Sequence, residues 1–278
     1  MQPDVSLMIN PKLKSALAGI FLFSSTLLPV NLAANNSKSI AGKSASNKKT
    51  GYKKATSPNK KNFKVTNSFS VNAGFSAQVM QEADSMYKQL NLAEKGLSKK
   101  AFIYGWKGYR ILQKKGFLQR SEVLSICDFS QSSRHKRLYI IDVEQKVLLV
   151  NTFVAHGRNS GGEFARQFSN KPQSRQSSLG FYVTRQTYFG EHGLSLRIDG
   201  IERGFNDRAN ARNIVVHGSD YLGGSFLENN PFNGRSYGCP AVPGDESQYI
   251  IDAIKNGTCM FIYHPTKKYL STSRIINA

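Results

Sequence analysis

The sequence predicts a mainly β domain behind a short N-terminal helical segment. Three observations carry that prediction. From Leu118 onward, short apolar runs rich in Val, Ile, Tyr and Phe recur between Gly-, Asn- and Ser-rich stretches. Two stretches with three- and four-residue apolar spacing precede them. The chain has 278 residues, 40% of them hydrophobic, enough for one sizeable core, and no internal repeat.

Taken in order, Lys12 and Lys14 lead into an apolar run, Ala16 to Val30, which ends near small residues at Ala33 and Ala34. That is the pattern of an export leader, expected over 1–34. The run is short for a membrane span and carries Ser24, Ser25 and Pro29. The chain is therefore expected to be exported, to the periplasm or cell envelope. Residues 35–74 read as a disordered Lys-, Ser- and Asn-rich tether. Nine lysines and no acid lie between 35 and 64. Behind a leader, such a run points to anionic envelope polymers rather than nucleic acid; a plain solvated spacer has the same composition. The whole chain has a formal charge of +20.

A helical segment is expected over 75–117. Phe75, Val79, Ala83, Met86 and Leu90 share one face, and a second helix runs from the cap Ser98 to about Gln113, with Gly116 as its stop. The β-rich part, 118–278, offers strands at Val123–Phe129, Arg137–Val143, Lys146–Ala155, Leu179–Thr184, Ser195–Asp199, Asn213–His217 and Cys259–His264. A late helix is expected from Glu246 to Lys255. Long loops at 157–178 and 218–238 are of functional length.

Three cysteines lie beyond the leader. Cys127 and Cys259 sit in apolar, strand-like runs and read as buried small hydrophobes, with a disulfide between them left open. Cys239, in "GRSYGCPAVP", has Gly238 before it and Pro240 after it, which is the setting of a presented thiol. A thiol needs a base to attack. The candidate is His217, which ends the apolar strand "NIVVHG" at a sheet rim, where Gly218 turns the chain away. Gly238 lets a substrate carbonyl approach, and backbone N–H groups of Tyr237, Gly238 and Cys239 are candidate oxyanion donors. Arg235 is a candidate to favour the thiolate or to hold a carboxylate, with Arg197 and Arg212 as weaker choices. Ser236 and Tyr237 in the turn, and Tyr221 on the loop leading to it, complete the candidate substrate-binding set. By residue type alone, a strand-end histidine and a turn cysteine are equally open to structural roles. The five histidines and three cysteines show no paired metal-ligand spacing.

At these residues the chain resembles the L,D-transpeptidase family with the YkuD-type catalytic domain. His217-Gly218 and Ser236-Tyr237-Gly238-Cys239 match its two signature segments. "AHGRNSGG", "FSN", "SSLGFYVT", "YFGEHGLSLRIDGIERGFND", "IVVHG" and "GRSYGCPAV" match a divergent branch, the murein L,D-transpeptidase catalytic domain proteins, over roughly 120–265. The resemblance implies a β-sandwich-like catalytic fold and acyl transfer on peptidoglycan stem peptides, with no metal or organic cofactor. It implies that Cys239 attacks, His217 moves the proton, and the Gly218 carbonyl orients the imidazole. It also implies 3-3 cross-links; the alternatives are an L,D-carboxypeptidase or endopeptidase using the same cysteine, or a silent wall-binding module. Two positions depart from the common pattern: Tyr237 stands where the family has His, and Ala241 where it often has Arg.

Overall fold

The structure, a computed structural model, describes residues 73–278. The leader and residues 35–72 of the expected tether lie outside the described residues; the last two residues of that tether, Ala73 and Gly74, instead begin the first helix.

Helix α1 (Ala73–Gln89) buries Val79, Ala83, Met86 and Tyr87 on one face. Helix α2 (Lys99–Lys114) starts where Ser98 Oγ accepts the Ala101 N–H, and Asp128 Oδ2 accepts the Ser98 N–H at 3.2 Å. It stops at Gly116, whose φ of +68° is the left-handed geometry that ends helices, while Phe117 N–H returns to the Leu112 carbonyl. Tyr87 and Phe102 pack at 5.6 Å between the two helices, and Arg110 pairs with Glu82.

The eight strands are β1 (Val123–Asp128), β2 (Leu138–Asp142), β3 (Val147–Thr152), β4 (Gly180–Gly190), β5 (Gly193–Gly200), β6 (Val215–Ser219), β7 (Ala241–Pro243) and β8 (Cys259–Tyr263). They form one hydrogen-bonded series, β3-β2-β1-β8-β4-β5-β6-β7. The pairs β1/β8 and β6/β7 are parallel, and the rest are antiparallel. Strand β8 is buried along its whole length, as a central strand must be. Strand β4 pairs with β8 through residues 180–183 and with β5 as far as Gly190, with a register shift between Thr184 and Thr187. Such an irregularity bends a strand, so that one strand can serve two parts of a sheet. The mainly β expectation holds, with a short helical segment before it.

Strand β4 continues past the expected end at Thr184, because Thr187 to Gly190 pair with β5 as a partly exposed ribbon. Strand β7 and the short helices α3 (Gly224–Glu228) and α5 (Lys267–Thr272) were not expected. Helix α4 (Ser247–Ile254) buries Ile250, Ile251 and Ile254.

Buried Glu202 closes the far end of the sheet. Its carboxyl oxygens accept from the Phe181 N–H at 2.9 Å, from Tyr269 Oη at 2.8 Å and from the Ser273 hydroxyl. Asn206 accepts the Glu202 N–H and donates to the Phe181 carbonyl, both at 2.9 Å. Burial raises the carboxyl's pKa; the three donors oppose that rise.

Helix α2 lies close on the sheet because two of its positions are glycine. A Cβ on Gly105 would stand 2.9 Å from Ile126 Cδ1, and one on Gly108 would stand 2.0 Å from Phe181 Cζ. The Phe181 ring cannot retreat: it is fully buried and stacked on Phe261 at 4.2 Å. Gly108→Ala is therefore expected to lower stability by about 1–3 kcal/mol, although alanine suits a helix better than glycine by about 1 kcal/mol. Thermal unfolding of the variant checks this; a melting temperature equal to or above that of the parent contradicts it.

Candidate active site

The thiol turn is held against the chain that leaves β3. Ala155 N–H donates to the Ala241 carbonyl at 2.9 Å, Ser236 N–H to the His156 carbonyl at 3.1 Å, and Arg158 N–H to the Ser236 carbonyl at 2.7 Å. Beneath this pairing Arg137 is fully buried. Its guanidinium donates twice to the Val154 carbonyl, at 3.1 and 2.9 Å, once to the Gln131 carbonyl at 2.9 Å, and to His156 Nδ1 at 2.8 Å. An arginine only donates, so His156 Nδ1 accepts and this imidazole is neutral. Burial, with the Arg137 charge beside it, holds the His156 pKa down to about 3.

Within the turn, Ser236 Oγ accepts the Gly238 N–H at 3.0 Å and donates to the Cys239 carbonyl at 2.6 Å. The Gly238 N–H is thereby spent inside the turn, which corrects its expected place among the oxyanion donors. Among the described residues no acceptor takes the N–H of Tyr237 or Cys239, so these two are left for that task. Gly238 has φ +125°, and a side chain there would begin 2.9 Å from the Gln176 carbonyl oxygen, so only glycine fits.

Cys239 is partly exposed, whereas Cys127 and Cys259 are fully buried, and all three are free. Cys127 and Cys259 lie on adjacent strands out of register, Cys259 opposite Leu124 and Cys127 opposite Ile262. Burial pushes the Cys127 thiol up to about 12 and the Cys259 thiol higher still. Both are shut off from solvent and held as thiols. Burial also raises the Cys239 pKa, but the Val215 N–H and the Arg212 charge pull it down. Its S–H donates to the Asn213 carbonyl at 3.7 Å, not to His217.

His217 lies on β6 opposite Ala241 of β7, two residues beyond Cys239. Its Nδ1 stands 2.9 Å from the Gly218 carbonyl oxygen. A carbonyl cannot donate, so Nδ1 carries the proton and Nε2 keeps a lone pair, the tautomer a base requires. Gly218 has no room for a side chain, since Ser247 Oγ lies 2.7 Å from where a Cβ would stand. His192, on the β4–β5 turn, stacks on the His217 ring at 4.2 Å and 20°. Burial and the nearby His192 lower the His217 pKa; the Gly218 carbonyl opposes this.

The other candidates divide. Tyr221 packs in a small cluster with Ala155, Leu222 and Ala241, and its phenol pKa is raised by burial, with the Cys239 charge adding to it. Tyr237 is 64% exposed, with the Arg175 guanidinium 4.7 Å above its ring. Arg235 donates to the Gly161 carbonyl at 3.0 Å and lies over the Phe232 ring, so it ties the loop down. Arg197 lies over Tyr188. The arginine whose charge favours the Cys239 thiolate is Arg212. Its guanidinium is fixed by the carbonyls of Ser169 (2.8 Å) and Gln176 (2.6 Å) and by the hydroxyls of Ser174 and Ser178. Residue type does not single out Arg175; it leaves His192 open as a second-choice base, and the stacking of His192 on His217 comes from the fold. Among the described residues, no three His, Cys, Asp or Glu side chains gather to hold a metal ion.

Ser236→Ala removes both internal bonds of the turn and leaves the Gly238 N–H buried without a partner, at a cost of about 1–3 kcal/mol. The expected outcome is lower stability in chemical denaturation together with slower alkylation of Cys239 by iodoacetamide. Unchanged stability and unchanged alkylation contradict the role given to this hydroxyl.

A family model described as the L,D-transpeptidase catalytic domain matches residues 93–263. No curated protein sequence matches the chain. Among solved structures, an L,D-transpeptidase from Mycobacterium smegmatis is 12% identical, with a TM-score of 0.32, over 51% of this chain and 59% of that one. L,D-transpeptidase 3 from Mycobacterium tuberculosis is 10% identical, with a TM-score of 0.34, over 51% and 61%. An L,D-transpeptidase from Stackebrandtia nassauensis is 12% identical, with a TM-score of 0.30, over 66% and 76%. The matched part spans about three fifths of the first two of these structures. The family match covers more than half of the chain and contains both the clamped cysteine turn and the strand-borne histidine, so the chain belongs to the L,D-transpeptidase catalytic domain family.

Proposed function

We propose that the protein is an exported cysteine acyltransferase that cross-links peptidoglycan stem peptides, with Cys239 as nucleophile and His217 as base. The observation that carries this reading is the thiol itself. Among the three cysteines it alone reaches solvent, on a turn fixed from two sides, two residues before the strand residue that pairs with His217, whose tautomer leaves Nε2 basic.

In the first half-reaction the Cys239 sulfur attacks the carbonyl carbon of the third stem residue, and the thiol proton passes to His217 Nε2. The negative charge on the carbonyl oxygen is met by the N–H groups of Cys239 and Tyr237. The peptide C–N bond then breaks, the terminal D-alanine leaves with the proton from His217, and a thioester remains. In the second half-reaction the amine of another stem attacks the thioester, His217 takes its proton, and sulfur departs, giving a 3-3 link. Water in place of the amine gives a tripeptide instead. Tyr221 and exposed Tyr237 flank the donor. Export through the leader over 1–34, and contact of the lysine-rich 35–74 segment with anionic envelope polymers, belong to the same reading.

Incubation with disaccharide-tetrapeptides followed by mass spectrometry separates the outcomes. A cross-linked dimer supports transfer, a tripeptide alone supports hydrolysis, and unchanged substrate supports a binding module. Cys239→Ala is expected to abolish turnover with the fold intact, and His217→Ala to slow acylation by ~10²–10⁴-fold.

The pH dependence follows from the environments. Because the His217 pKa is lowered, the base stays unprotonated down to a lower pH than an ordinary histidine. The acid limb of kcat/KM for acylation is expected below pH ~6.5, the ordinary histidine value. An acid limb above that value contradicts His217 as the base.

A further inference from the structure

A cleft of about 470 Å³ opens between the 168–171 loop, the 203–208 turn and the start of α5, within the size range of small-ligand sites. Phe168 and Phe205 form apolar walls, and Lys171, Arg203, Arg208 and Lys268 stand exposed around it. Its one acid, Asp207, is occupied: Oδ1 accepts from Asn170 Nδ2 at 2.8 Å and from the Gly204 N–H at 2.7 Å. Among the described residues no carboxylate pairs with any of the four cations. Four cations against the one carboxylate of Asp207 leave the concave surface net positive, which raises the local concentration of anions. The folded part invests its positive charge where a negatively charged ligand with an apolar portion fits.

The cleft is joined to the thiol turn through one side chain. Arg212 grips the carbonyl of Ser169, in the cleft wall, and the carbonyl of Gln176, which lies against Gly238. Cleft and thiol are thus two sides of the 169–178 loop. The Ser169 and Gln176 carbonyls are held by one guanidinium, so the cleft wall and the thiol turn lie against the same short loop.

We propose that this cleft binds the carboxylate-bearing stem peptide that serves as acceptor, while the donor occupies Cys239. The identity of the ligand rests on the transpeptidase reading; the anionic peptide subsite does not. The test uses the full chain and the variant R203Q/K268Q, checked by thermal melting. The probe is a stem tripeptide, which lacks the leaving residue, and binding is followed at the amides of Gly204 and Phe205 by NMR. Donor acylation of Cys239 and the acceptor KM are measured alongside.

The expected result is tripeptide binding weakened on the order of tenfold by loss of the two charges. The acceptor KM rises by the same factor, and acylation keeps its rate. R203K/K268R, which preserves both charges, binds like the parent. Equal binding by parent and R203Q/K268Q overturns the proposal, as does acylation that falls together with acceptor use. If the parent never acylates, the transpeptidase reading fails, and the binding comparison alone decides the subsite.

Discussion

The chain leaving β3 and the turn that carries Cys239 run side by side, and the geometry of the thiol depends on that pairing. Two backbone bonds join Ser236 to residues 156–158, and a third joins Ala155 to Ala241. They fix the turn from both ends. Buried Arg137 fixes the other partner by filling the Val154 carbonyl and His156 Nδ1. Its desolvation is costly and is offset by four hydrogen bonds, the condition under which a buried cation is tolerated. The result is a partly exposed thiol on a backbone fixed in advance, the arrangement that preorganised catalysis calls for under the proposed function.

Electrostatics at the site favour a neutral resting pair. Burial raises the Cys239 pKa and lowers that of His217, and both shifts favour the neutral thiol and the neutral imidazole. The bias toward thiolate comes from fixed elements, the Val215 N–H and the Arg212 guanidinium. Arg212 also braces the 169–178 loop, which faces the thiol turn on one side and the basic cleft on the other. One arginine therefore acts on both the Cys239 thiol and the loop that faces it.

Much of this was legible in the sequence. The inner strands announce themselves through Val/Ile-rich runs, and α2 is marked at both ends by Ser98 and Gly116, because caps are local chemistry. The cysteine was distinguishable because its neighbours are small while those of Cys127 and Cys259 are large. What was not legible is long-range. Strand β7 is three residues bounded by prolines and exists only by pairing with β6. The outer half of β4, Arg185 to Gly190, is of mixed polarity and partly exposed, and it is held as a strand only by pairing with β5. The bonds of Arg212 reach residues between 34 and 43 positions upstream, and no local pattern encodes them. Sequence proximity favours Arg235, four residues before the cysteine, over Arg212; in the fold Arg235 bonds the Gly161 carbonyl, and it is the Arg212 charge that acts on the thiol.

The central claim is that acyl transfer passes through sulfur on this turn and on no other cysteine. The direct measurement is to quench the protein in acid during reaction with a disaccharide-tetrapeptide, digest it, and locate the acyl group by peptide mass spectrometry. The account predicts a hydroxylamine-labile adduct, equal to the substrate less D-alanine, on the peptide containing Cys239. Product formation with the adduct on Cys127 or Cys259, or with no thioester trapped at any cysteine, contradicts it.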